Sequence, residues 1–265
     1  MFQDFIDSLA IPGVFAVFAV LALILYELGF RFGRWWQRRT PEEKEGPTGM
    51  LVGSILALMA FLLAITMGIA TDRFDARRGL VLTEANAIGT TYLRAGYLSE
   101  PASSESRELI REYVPLRIVP AGAAAADIAD SEEITRGAEI REELWSIAEG
   151  LARATPEDDM LAIYVESLNE TIDVATTREI AGIYARVPET VLLLLFVGST
   201  LTLGMVGYSA GLTGRRSPLP AIVLIVVLGS VMTLIIDIER PQGGTLKDRV
   251  LPYVQLQEQI GPPSS

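Results

Sequence analysis

The sequence predicts an all-α membrane protein with four transmembrane helices in two hairpins. A helical, bundle-like domain is inserted between helices two and three. Three observations carry this. Four apolar runs reach the length of about 20 residues that a helix needs to cross roughly 30 Å of hydrocarbon. The one long interval between them, residues 72–187, is densely charged with helical periodicity. No stretch shows the β-branched alternation between turn residues that marks a strand. Composition agrees: 50% of the 265 residues are hydrophobic, too many for most soluble chains, yet 21% are charged.

The first run is Ile11 to Phe30, with Pro12 tolerable in an opening turn. The residues before it include Asp4 and Asp7 and no base, so the run is expected to stay as a span and not to be cleaved as a signal peptide. The second run is Gly49 to Ala70 and the third Pro188 to Leu212. The fourth, Pro218 to Ile236, comes after the short turn "TGRRSP". The expected organisation is a first transmembrane hairpin at 1–71, an acidic helical domain at 72–187, a second hairpin at 188–239 and a C-terminal tail at 240–265.

The inserted segment holds 22 acidic and 12 basic residues, all twelve of them Arg. Phe74, Val81, Ala85, Ile88, Tyr92 and Ala95 fall on one helical face. The second span is therefore expected to run on out of the bilayer. Leu161, Leu168, Ile172, Ala175 and Ile183 mark a similar face approaching the third span, expected to continue through Val187. Between them, "SSESRELIREYV" reads as a helix bent at Pro115 and stopped by Pro120, and "GAAAADIAD" as a linker. A further helix presents Ile134, Ile140, Leu144, Ile147 and Leu151. "TPEDD" predicts Thr155 as the N-cap of the next helix.

The chain has no Cys and no His. Thiolate chemistry, imidazole general bases and zinc sites of the usual ligand set are excluded. With no phosphate loop or nucleophile elbow either, no enzyme, catalytic residue, cofactor or metal site is expected. Glu139, Glu142 and Glu143 could attract divalent ions weakly, but such a cluster on a helix is ordinarily a solvated face. Net charge of −11 argues against nucleic acid.

Within the spans, Glu27 stands one turn before Arg31, an expected snorkelling ion pair. Asp237 and Glu239 beside Arg240 are expected at the membrane interface. Gly53, Ala57, Ala60, Ala64 and Gly68 form a small-residue stripe on the second span, which permits close helix approach. Gly204, Gly207 and Gly211 of the third span are the expected partner face. The other face of the second span carries Leu58, Leu62, Ile65 and Ile69, which would meet lipid or line a hydrophobic constriction in an oligomer. Asp72, Arg73, Asp75 and Arg77 come immediately after, as interface anchors or as charges at a pore mouth. Only Asp75 and Arg78 are spaced to pair on one helix; Asp173 and Arg186 are candidate partners for the others.

The short loops carry Arg31, Arg34, Arg38, Arg39 and Lys44, and Arg215 with Arg216. By the positive-inside rule both loops are cytoplasmic, which puts residues 72–187 on the outer side. Trp35 and Trp36 fit a membrane-interface belt.

"RFDARRGLVLTEANAIGTTYLR" after a span and "ARVP" before the next hairpin resemble a bestrophin-like family of bacterial membrane proteins of unassigned function. More distantly, the chain resembles the bestrophins, which are pentameric anion channels. Their second membrane helix ends in Asp-Arg, two aromatics, an acid, Ala and Arg; Asp72-Arg73-Phe74-Asp75-Ala76-Arg77 is similar but one aromatic shorter. Ile238-Glu239-Arg240-Pro241-Gln242-Gly243 resembles their Ile-Glu-x-Pro-x-Gly. One missing residue turns the rest of the helix by about 100°, so pore geometry does not carry over. The resemblance implies a multi-pass protein of a bacterial inner membrane and a cytosolic place for the inserted domain, opposite to the loop charges.

Two functions arise as expectations. One is a homo-oligomeric channel with ions as the conducted species. The other is a membrane-anchored sensor or scaffold whose acidic domain binds a partner.

Overall fold

In a computed structural model, residues 6, 8–40, 45–118, 131–184, 187–214, 216, 218–240 and 250–263 are described. Eight helices succeed one another: α1 Ile11–Arg39, α2 Glu45–Ala95, α3 Ala102–Leu116, α4 Glu132–Ala154, α5 Asp159–Tyr184, α6 Glu189–Thr213, α7 Pro218–Glu239 and α8 Leu251–Ile260. No strand occurs among the described residues. Four helices, α1, α2, α6 and α7, are long and apolar enough to cross a membrane. The chain divides into two compact units, Met1–Asp72 with Arg186–Arg240 and Arg73–Ala185 with Pro241–Ser265. Asp4, Asp7, Lys44, Pro120, the "GAAAADIAD" linker, Arg186, Arg215 and the Pro241-Gln242-Gly243 part of the motif lie outside the described residues.

The first unit is built around α1, which packs on α6 and α7. Pro12 sits in the first turn of α1, where its missing N–H costs nothing, and Arg38 and Arg39 in the last turn complement the helix dipole. Glycines join α1 to α6. A methyl group at Gly29 or Gly33 would overlap backbone atoms of Gly204 and Tyr208, and one at Gly207 or Gly211 would overlap Tyr26 and Phe30. Two GxxxG pairs face each other, and the contact is dispersion between bare backbones. This corrects the expected pairing: Gly204, Gly207 and Gly211 meet α1, not the stripe on α2. Gly214 then ends α6 with φ 70°, a conformation that favours glycine.

α7 closes the unit. At its end Asp237, Glu239 and Arg240, expected at the membrane interface, are all buried within the protein. The Val187 N–H donates to Glu239 Oε2 at 2.6 Å, and Arg240 donates to the Leu9 carbonyl at 2.8 Å and to the Ile6 carbonyl. These groups tie the last turn of α7 to the chain entering α1 and α6. A backbone carbonyl or amide satisfies a buried charge without adding a second charged group.

The second unit contains the later part of α2 with α3, α4, α5 and α8. Its core joins Val81, Ala85, Ile88 and Ala95 of α2 to Ile110, Tyr113 and Val114 of α3, Ile140 and Leu144 of α4, and Leu161, Tyr164 and Leu168 of α5. Val81, Ala85, Ile88, Ala95, Ile140, Leu144, Leu161 and Leu168 of the periodic faces read from the sequence lie in this core, with Tyr92, Ile147, Leu151 and Ile172 packed against it; Phe74 and Ile134 do not, and the side chain of Ile183 lies outside the described residues. Three local readings are corrected. α3 ends at Leu116, with Pro115 in its last turn. The cap of α5 is Asp158, whose Oδ1 accepts from the Met160 and Leu161 N–H groups at 2.8 and 3.1 Å. Thr155 instead terminates α4, donating its hydroxyl to the Leu151 carbonyl. α5 is described as far as Tyr184; Val187 and Pro188 are not helical, so α6 starts at Glu189 as a separate helix. By contrast α2 runs unbroken for 51 residues.

The stretch expected to be a tail holds α8, whose Tyr253, Leu256 and Ile260 are buried in the second unit's core.

Candidate functional site

The apolar segment of α2, residues 49–70, has three faces. At about 100° per residue, Val52, Met59, Leu63, Thr66 and Ala70 share one. They are buried, with Met59 lying against the bare backbone of Gly198 on α6. Leu58, Leu62, Ile65 and Ile69 form the second face, roughly a quarter-turn away. Leu58, Ile65 and Ile69 are 55%, 45% and 44% exposed, and Leu62 is half-buried. Gly53, Ala57, Ala60, Ala64 and Gly68 form the third, roughly a third of a turn from each of the others. All five are exposed, and methyl groups at Gly53 and Gly68 would meet open space. The expected close packing of this stripe inside the chain is therefore absent among the described residues.

The four charges after the segment do not share a face. Arg77 continues the packed face and is 4% exposed, whereas Asp72 and Asp75 are exposed and Arg73 is half-buried. Asp72 and Arg73 flank the line of Leu58, Leu62, Ile65 and Ile69, one on each side. Asp75 continues the small-residue stripe. The expected Asp75–Arg78 pair does not form; Arg78 lies over the Phe74 ring at 5.6 Å. Asp173, proposed as a partner for these charges, accepts from Asn169 on its own helix at 3.4 Å.

A second polar constellation lies inside the helical unit, well past the apolar segment of α2, and single-residue reasoning missed it. Glu84 of α2 is wholly buried. It accepts from Arg117 Nε at 2.7 Å, Arg178 Nη1 at 3.1 Å and the Tyr253 hydroxyl at 2.6 Å. Arg117 also reaches Glu179 at 2.9 Å, and Arg141 joins Glu179 at 3.1 Å and the Tyr113 hydroxyl at 3.0 Å. Residues from α2, α4, α5 and α8, with Tyr113 of α3 and its capping residue Arg117, meet in this one network. Burial would raise the pKa of Glu84, but Arg117, Arg178 and the Tyr253 hydrogen bond outweigh it and hold the carboxyl below its ordinary value. Burial pushes the Tyr253 and Tyr113 phenols up, so they stay protonated. A hint was present in the sequence: Glu84 falls on the apolar stripe of Val81 and Ile88, where a lone carboxylate requires buried partners.

The surface acids are more ordinary. Glu139 and Glu143 both bind Arg136, at 3.2 and 2.7 Å, together with Glu112 at 2.7 Å. Among the described residues, no group of His, Cys, Asp or Glu is arranged to hold a metal ion.

Comparison with known proteins places this architecture. Crystal structures of a bacterial bestrophin homologue from Klebsiella pneumoniae share the fold. One, solved by zinc phasing, is 16% identical, with a TM-score of 0.64 over 94% of this chain and 98% of that one. A single-substitution variant is 17% identical, with a TM-score of 0.66 over 93% of each chain. No curated protein matches by sequence. A family model described as the Bestrophin-like domain matches residues 11–247, which takes in all four spans and most of the helical unit, and the chain is a membrane protein that belongs to the Bestrophin-like family.

Proposed function

We propose that the protein is a homo-oligomeric ion channel of a bacterial inner membrane and that α2 lines the conducting path. One observation carries the reading: the apolar segment of α2 has three distinct faces, of which the described residues of its own chain cover one. In a ring of copies each lining helix needs a face toward its own subunit, a face toward its neighbour and a face toward the axis. Val52, Met59 and Leu63 serve the first. The Gly53–Gly68 stripe suits the second, since small residues allow close approach in lipid. Leu58, Leu62, Ile65 and Ile69 then face the axis as a hydrophobic constriction that gates by dewetting. Asp72 and Arg73 stand beside that path. The likeness to the bestrophins favours anions as the conducted species, with Arg73 the charge that attracts them. The same reading assigns no catalysis, and lipid and ions are the partners it requires.

The loop charges favour an outer-side helical unit and the bestrophin likeness a cytosolic one; the path along α2 is the same in both. The competing reading is a membrane-anchored scaffold whose acidic unit binds a partner. Purified protein separates the two. The channel requires a ring of several copies in mild detergent and ion flux after reconstitution, with Arg73→Glu lowering the preference for anions. A folded monomer without flux would leave the scaffold.

A further inference from the structure

The first of the two loops expected to face the cytoplasm begins at the end of α1, where two chemistries lie side by side. Arg31, Arg34 and Arg38 share one face of the helix, opposite the glycines that pack on α6, and all three are exposed. Next to them Phe32 and Trp35 are 54% and 44% exposed, with their rings stacked 5.7 Å apart. Arg39 lies over the Trp35 ring at 4.2 Å. Among the described residues one carboxylate answers these cations: Glu27 binds Arg31 and Arg216, each at 2.8 Å. Arg34 and Arg38 have no carboxylate partner among the described residues. Below Trp35 the same helix face continues toward the middle of the span as Leu28, Ile24 and Leu21, all exposed.

From this arrangement we propose that the end of α1 is a binding site for one anionic phospholipid. The headgroup phosphate is held by Arg34 and Arg38, with Arg39 above Trp35 completing the cradle. Guanidinium suits this role because its planar fork binds phosphate oxygens in pairs. Trp35 sits at headgroup depth, where its amphipathic ring is favoured. The acyl chain runs along Leu28, Ile24 and Leu21. That apolar track selects a lipid over a soluble phosphate, which would gain nothing from it. The excess of cations at this end of α1, among the described residues, selects an anionic lipid over a zwitterionic one, whose choline would sit beside Arg34 and Arg38.

The test uses the full-length protein in neutral detergent, with graded phosphatidylglycerol or phosphatidylcholine and thermal unfolding as the readout. Native mass spectrometry counts bound lipid. Phosphatidylglycerol should raise the unfolding temperature and remain bound; phosphatidylcholine should do neither. Arg34→Gln with Arg38→Gln should weaken phosphatidylglycerol binding by roughly thirty-fold, at about 1 kcal/mol per basic residue. Arg136→Gln with Arg153→Gln, remote from α1, should leave it unchanged. Trp35→Ala, which keeps the charges, should weaken it less than the arginine pair. Equal stabilisation by both lipids would overturn the proposal, as would full binding by the Arg34/Arg38 variant. An equal shift from soluble glycerol phosphate would also overturn it, by removing the need for a lipid.

Discussion

Two helices of the first unit carry the same kind of small-residue stripe in opposite surroundings. On α1, Gly29 and Gly33 are pressed against the backbone of α6 so closely that a methyl group has no room. On α2, Gly53 and Gly68 face open space, and Ala57, Ala60 and Ala64 are exposed between them. The pattern announces that some helix approaches closely, but it does not name the partner. For α1 the partner is in the same chain. For α2 no described residue of the same chain fills that place, which leaves the stripe to lipid or to another copy. The comparison therefore separates what holds one subunit together from what would join several.

Substitutions on the two stripes should break this comparison in different ways. Gly33→Leu and Gly207→Leu put a branched side chain into backbone, where relief requires the helices to part. Overpacking of this kind costs about 3 kcal/mol or more. Little folded protein should survive detergent extraction, as judged by size-exclusion profile and thermal unfolding. Wild-type stability in both variants would mean that α1 and α6 are not in contact.

The next effect belongs to the second unit. Glu84→Gln leaves Arg117 and Arg178 with a neutral partner in a closed interior. Removing one member of a buried ionic cluster costs about 3–5 kcal/mol. The sign with pH comes from the lowered pKa of Glu84. A carboxylate with a depressed folded-state pKa contributes stability that is full above its unfolded value, near 4.5, and is lost as pH falls through the folded one. Wild type should lose stability on acidification below that value, and Glu84→Gln should start lower and lose less. Circular dichroism melts from pH 7 to pH 3 measure both. Parallel pH profiles for the two proteins would deny Glu84 its role.

Gly68→Leu is the counterpart on α2. Nothing in its own chain opposes the new side chain, so the subunit should fold and melt within about 0.5 kcal/mol of wild type, as surface changes do. If the stripe joins copies, the oligomer should fall apart at detergent concentrations that wild type tolerates. Intact assembly would assign the stripe to lipid. The smallest effect is expected at the surface: Arg136→Ala breaks contacts to Glu112, Glu139 and Glu143 but should cost less than about 1 kcal/mol, because exposed ion pairs are screened by solvent.

Much of this organisation is legible in the sequence, and the exceptions have physical reasons. Apolar length marks the four spans, and helical periodicity marks the core faces of α2, α4 and α5. Close approach is readable as a pattern, but pairing Gly207 and Gly211 correctly requires Gly29 and Gly33, which a reading centred on α2 overlooks. α8 passes for a tail because it is only 10 residues long. Yet Tyr253, Leu256 and Ile260 are spaced three and four apart behind Pro252, which is a helix with a single buried face. Thr155 and Asp158 both suit a cap, and they divide the work: the Thr155 hydroxyl bonds back to Leu151 of α4 while Asp158 takes the first N–H groups of α5. Charge at the ends of spans is the hardest to place. Asp237, Glu239 and Arg240 look interfacial in a linear reading because nothing shows that the backbone at Leu9 and Val187 returns to meet them. The Glu84 network has the same difficulty, since its partners come from five separate helical segments.

The central claim is that one exposed face of α2 borders an aqueous path and another packs against a neighbouring copy. The chain has no native cysteine, so single cysteines report without background. Ile65→Cys and Ala60→Cys place thiols on the two faces. After reconstitution into liposomes, ion flux is measured before and after a small charged methanethiosulfonate reagent. The account predicts flux through both proteins, rapid block of Ile65→Cys and little effect on Ala60→Cys. Absence of flux from folded protein, or equal insensitivity at both positions, would contradict it.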